Sequence, residues 1–188
     1  IRTGDGVARI EDLHEGDLVQ TKDNGMQPVR WIGKRRMSGA RLFTMPQLRP
    51  VRFHANALGL ARPDQDLLVS PSHRILIKGE VAQNLFNTDE VLVTARDLIN
   101  GSSVTVDAHA REVTYIHLLL DQHQIMWANG VETESFHPAS AALDSLDASD
   151  RDRLIANYPG LSADPHSYGR YARRNLSMSE AAILQHAA

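Results

Sequence analysis

Ser70-Pro71-Ser72-His73 sits directly behind the apolar run Leu67-Leu68-Val69. A Ser-Pro turn after an apolar strand fixes the backbone at its bend, so the His73 ring can project into a cleft instead of into a sheet. A second group lies downstream, where Tyr115 to Leu120 is followed by Asp121-Gln122-His123. His117 is the unusual residue of that apolar strand, and Asp121 reads as a turn former that accepts backbone hydrogen bonds. Imidazoles titrate near neutral pH and act as proton donors, proton acceptors or metal ligands. His54, His73, His117 and His123 would be the ligands of a metal-dependent hydrolase. His117 and His123 stand six apart across a bend, which is not a familiar ligand spacing. There is no cysteine, so disulfides, thiolate metal sites and a thiol nucleophile are excluded within these residues.

The elements that must position these groups read mostly as short strands. Asp17 to Thr21 leads into Lys22-Asp23-Asn24-Gly25, and Asn-Gly is a strong hairpin signal. Gln27 to Gly33 alternates apolar and polar residues, as a half-buried strand does. Leu67 to Val69, Arg74 to Ile77, Val91 to Val93, Tyr115 to Leu120 and Gln124 to Trp127 are further strands. Lys78-Gly79-Glu80-Val81 is a turn, and residues 82–85 and 95–98 are short helical turns or loops. The fold class is therefore mainly β, a sandwich, barrel or folded ribbon.

Beyond Phe136 the character changes to a stretch rich in Ala, Ser and Asp. Residues 149–158 form a helix with Ser149 as cap and Pro159-Gly160 as stop. Ser177 to Gln185 forms another, with Ser177 and Glu180 as a capping box. The reading is a β domain over 1–138 and a helical extension packing on it over 139–188. A hydrophobic content of 42% is enough for a packed core, and a net charge of -3 leaves no footprint for nucleic acid or an anionic membrane. No apolar run is long enough for a membrane span.

Three segments taken in order carry a resemblance. They are Thr3 to Leu13 with Gly16-Asp17-Leu18-Val19, then Leu68 to His73, then Tyr115 to His123 with Ala128-Asn129-Gly130. Together they resemble the Hint domain, the self-processing module shared by inteins and the C-terminal part of Hedgehog proteins. The bacterial branch in particular is similar, through Gln-Pro-Val-Arg-Trp-Ile-Gly at 27–33, His-Leu-Leu-Leu-Asp-Gln-His at 117–123 and Glu-Ser-Phe at 134–136. The resemblance covers 1–138 and implies a compact folded-ribbon β domain.

The resemblance also implies a chemistry. A Cys or Ser side chain attacks the preceding carbonyl and converts a peptide bond to a thioester or ester. The hydroxyl residue and His of the second segment, here Ser70 and His73, would polarise the scissile amide and protonate its nitrogen. Backbone N–H groups near Ser70 would hold the oxyanion. Counting eight residues back from His123 reaches Tyr115, so Ile116 falls where inteins have Asp, and His117 with Asp121 or His123 would take over as general base or orient water. The His-Asn that completes splicing falls at Glu134-Ser135, and neither side chain can cyclise, so cleavage would be N-terminal only. The family nucleophile lies several residues before Ile1, so the chain by itself is expected to be inert.

Two readings follow. In the first, an autoprocessing domain uses the upstream segment of its own polypeptide as substrate and needs no cofactor. In the second, a non-catalytic Hint-shaped module serves binding or scaffolding in a larger surface or secreted protein.

Overall fold

The computed structural model describes residues 1–140, 143 and 146–187. Positions 141, 142, 144, 145 and 188 of the expected extension lie outside the described residues. The chain is mainly β and forms two compact units that it visits alternately. The first holds Ile1–Ser38, Glu112–Trp127 and Ser135–Ala172; the second holds Gly39–Arg111, Ala128–Glu134 and Arg173–Ala188. The stretch beyond Pro138 is thus shared between them, changing over after Ala172.

The first unit opens with β1 (Arg2–Thr3), β2 (Gly6–Val7), β3 (Leu18–Thr21), β4 (Gly25–Pro28) and β5 (Trp31–Met37). The second then receives α1 (Gly39–Thr44), β6 (Val51–Phe53), β7 (Leu67–Val69), β8 (Arg74–Lys78), α2 (Glu80–Phe86), β9 (Glu90–Thr94) and β10 (Val104–Val106). The chain returns for β11 (Val113–Leu119) and β12 (Ile125–Ala128), then crosses for β13 (Val131–Glu134). It adds α3 (Ala148–Asn157) to the first unit, and β14 (Arg174–Asn175) and α4 (Met178–Ala187) to the second. Among the described residues no helix is long and apolar enough to cross a membrane.

In the first unit the Asn24-Gly25 signal produces the β3–β4 hairpin, paired from Leu18↔Pro28 to Thr21↔Gly25. Gly25 has φ +62, which costs glycine nothing, and Thr21 Oγ1 donates to its carbonyl at 2.7 Å. The run 27–33 is not one strand. At Val29–Arg30 the chain changes partner: Val29 N–H donates to Asp17, Arg30 N–H donates to Leu119, and β5 then pairs with β11.

Trp31 is fully buried at the centre of a cluster with Leu119, Phe136, Leu146, Leu154 and Leu161. Gly33 follows on the same strand face, and the Trp31 ring lies across it; a Cβ there would stand 2.6 Å from Trp31 Cζ2 and closer still to Cη2. Gly33→Ala is therefore expected to lose about 1–3 kcal/mol through overpacking, read as a lower urea midpoint.

The open edge of β5 is closed by side chains. Asp150 Oδ2 accepts from Lys34 N–H at 2.7 Å, Glu15 Oε1 accepts from Ile32 N–H at 3.1 Å, and Arg153 donates to the Ile32 carbonyl at 2.7 Å. These groups satisfy backbone that a further strand would otherwise bond, and so block edge pairing. The helix carrying Asp150 and Arg153 begins at Ala148 with Asp147 as N-cap. Ser149, expected as the cap, therefore lies inside its first turn.

In the second unit β14, β9, β8 and β13 are neighbours in that order, with β14 parallel to β9 and the rest antiparallel. A separate sheet runs β10-β6-β7. Val91, Leu92 and Val93 are all fully buried, so β9 is covered on both faces and reads as a continuous apolar run. The expected turn at 78–81 is brief, because Gly79 with φ +122 leads directly into α2.

The capping box of α4 is formed as the sequence suggests: Ser177 N–H donates to Glu180 Oε2 at 2.8 Å, and Glu180 N–H donates back to Ser177 Oγ at 3.3 Å. The Ser177 N–H, its hydroxyl and Arg174 together hold the Glu180 carboxyl down at about 2, from an ordinary 4.5. A depressed folded value means stability gained above pH 4.5 and lost as pH falls toward 2. The stability difference between the protein and Glu180→Gln is expected to be widest above pH 4.5 and to close toward pH 2, measured by urea unfolding across that range.

Candidate functional site

Ser70 and His73 belong to the second unit, in the turn that leaves β7 for β8. Asp66 prepares that turn by accepting from Ala55 N–H at 3.1 Å and Arg52 Nη1 at 3.0 Å, immediately ahead of β7. The turn closes when His73 N–H donates to the Ser70 carbonyl at 3.0 Å. It is pinned from outside, because Ala95 N–H donates to the His73 carbonyl at 2.8 Å and Arg96 N–H to the Pro71 carbonyl at 3.0 Å. Two carbonyls of this turn, those of Pro71 and His73, are thus held by the segment following β9.

The His73 ring is half-buried and its Nε2 meets the hydroxyl of Thr133 on β13. Thr133 is 2% exposed, and its Oγ1 donates to the Arg74 carbonyl at 3.0 Å. Glu134 takes the other side of the same residue, accepting from Arg74 N–H at 2.9 Å. Strand alternation explains the arrangement. Thr133 pairs with Ile75, so it shares a sheet face with His73, and Glu132 and Glu134 fall on the opposite face. There Glu132 is 4% exposed and bonds Lys78 Nζ at 3.0 Å and Arg62 Nη2 at 3.2 Å.

The Ala128-Asn129-Gly130 motif makes a left-handed turn, with φ +47 at Asn129 and +75 at Gly130. Asn129 Nδ2 donates to the Asp66 carbonyl at 3.0 Å, and a Cβ on Gly130 would stand 2.9 Å from the Ala61 carbonyl oxygen. This motif therefore braces the loop that feeds β7.

His117, Asp121 and His123 all belong to the first unit. His117 pairs with Gly33 across β5–β11, and its ring centroid is 4.9 Å from that of Phe136. Asp121 receives Arg30 Nε at 2.8 Å and Nη2 at 2.9 Å in a two-pronged, solvent-facing pair. His123 is 4% exposed; its Nδ1 accepts from Ala172 N–H at 2.9 Å, and its ring meets Tyr171 edge-on. A ring nitrogen that accepts from a backbone N–H carries no proton, so this nitrogen is committed to ordering the chain.

Sequence reasoning passed over His137, which is fully buried. Its Nδ1 accepts from Ala139 N–H at 3.1 Å, its Nε2 donates to the Gly169 carbonyl at 3.1 Å, and its ring stacks on Tyr171 at 4.0 Å. The Glu-Ser-Phe run before it is structural at each position. Glu134 holds Arg74, Ser135 exchanges bonds with the Gln124 backbone, and Phe136 packs 5.5 Å from Trp31.

His54 faces Asp66 at 3.3 Å. Among the described residues no three or more of His, Cys, Asp or Glu are gathered so as to hold a metal ion. No curated protein matches the chain. Residues 1–140 match the family described as the Hint domain. That span takes in the Ser70–His73 turn, the strand of His117 and the Asn129-Gly130 turn alike, and the chain belongs to the Hint domain family.

Proposed function

We propose that this Hint domain cleaves the peptide bond joining it to an upstream segment, by an acyl shift onto a thiol that precedes Ile1. The observation that carries the reading is His73, held by its backbone on both sides and by Thr133 at Nε2, at the turn where the family has its hydroxyl–x–x–His pattern. The sulfur attacks the scissile carbonyl carbon, and the C–N bond breaks as a thioester forms. His73 gives its proton to the departing nitrogen, while Ser70 helps to polarise the amide. The thiol proton passes to a base. In the first unit Asp121 and His123 hold the segment that carries His117, through Arg30 and Ala172. Water or an external nucleophile then opens the thioester and frees the upstream acyl group.

A second reading, a binding scaffold without catalysis, is favoured by the packing of His117 on Phe136 and the bond from Ala172 to His123. To separate the two, the natural coding sequence leading into Ile1 is placed behind a small reporter domain and its intact mass is followed with and without added thiol. Thiol-accelerated release supports cleavage. An unchanged mass over days leaves the scaffold.

A further inference from the structure

We infer that Thr133 is a positioning residue for His73, which selects the ring nitrogen that carries the transferable proton. The inference rests on the reading of His73 as proton donor and adds a partner that the Hint pattern does not name. A threonine hydroxyl has one proton, and that of Thr133 goes to the Arg74 carbonyl at 3.0 Å. Toward His73 the Thr133 oxygen is therefore an acceptor, and Nε2 must be the donor. This fixes the neutral imidazole as the Nε2–H tautomer and makes Nδ1 its basic atom. The proton that His73 gains and gives up is then the one on Nδ1, while Nε2–H stays on Thr133 throughout.

The mounting is rigid. Thr133 is 2% exposed and Ile75 stands across from it on β8. Glu134, the next residue, holds the Arg74 N–H. Two successive side chains of β13 thus grip the two peptide groups of the residue following His73. The ring cannot turn over without leaving Nε2–H or the Thr133 oxygen unpaired in a buried setting, which is costly.

The test uses histidine-labelled protein and needs no cleavage for its first part. Long-range proton–nitrogen correlation spectra report which nitrogen of neutral His73 carries the proton. The protein and Thr133→Ser are expected to show Nε2–H, and Thr133→Val a mixture of tautomers. An Nδ1–H tautomer in the unaltered protein, or an unchanged tautomer in Thr133→Val, overturns the inference. In the reporter fusion Thr133→Val is expected to slow release by about 10- to 100-fold and to move the pH profile, with Thr133→Ser restoring both. Tautomer loss with undiminished release also overturns it. If the valine variant fails to fold, the tautomer of the unaltered protein still decides, since Nδ1–H there overturns the inference. If the spectra follow Thr133 but His73→Ala releases the reporter at the full rate, the cleavage reading of His73 has failed and the inference falls with it, although the hydrogen-bond geometry stands.

Discussion

In a self-cleaving parent, His73→Ala is expected to slow release of the upstream segment by about 10²–10⁴-fold. An amide nitrogen leaves poorly unless it is protonated as the C–N bond breaks, and in the proposed mechanism His73 carries that proton. The backbone bonds to His73 and Pro71 come from Ala95 and Arg96 main chain, so deleting the ring leaves the turn's backbone hydrogen bonds in place. The loss should therefore appear chiefly in the rate, with a smaller fall in the urea midpoint from the buried Thr133 oxygen that loses the Nε2–H donor. Release from the variant at the parental rate would remove His73 from the chemistry.

The second large effect concerns Glu132, which no step of the cleavage uses. Its side chain is 6% exposed, whereas its partners Arg62 and Lys78 are 31% and 42% exposed. The burden of desolvation falls on the carboxylate, and the two cations can turn to water if released. Removing both cations, Arg62→Ala with Lys78→Ala, takes two counter-charges from a buried carboxylate and is expected to cost about 3–5 kcal/mol. Adding Glu132→Gln to that double variant should recover most of the loss, because an amide needs no counter-charge. Urea unfolding of the three proteins measures both steps. A double variant as stable as the parent, or a triple variant no better than the double, would show that Glu132 is not held as an ion pair.

Features that depend on neighbouring residues were legible in the sequence. Asn24-Gly25 requires a left-handed turn and makes one, and Ser177 with Glu180 closes the box its spacing implies. The Ser70-Pro71 turn was equally readable, since a strand end and a turn are local matters. What depends on distant partners was not. Gln27 to Gly33 alternates like one strand, yet it breaks at Val29–Arg30 where its partner changes from β3 to β11. Val131-Glu132-Thr133-Glu134 carries no strand reading in the sequence, yet it forms β13 with all four residues buried, and Arg62, Arg74 and Lys78 supply the charge the carboxylates need. Thr133 reaches His73 from 60 residues away, and nothing local in its sequence marks it. The tail showed its helices but not their division between two units, for the return of β14 alongside β9 is a pairing without a local signal.

The most direct measurement is the mass of the fragment released from the reporter fusion in the presence of a small thiol. Acyl transfer to sulfur requires that the freed upstream piece carry the added thiol as a C-terminal thioester, and that hydroxylamine convert the same piece to a hydroxamate. A released piece bearing only a free carboxylate under both conditions, with no dependence on the nucleophile added, would contradict self-cleavage through a thioester.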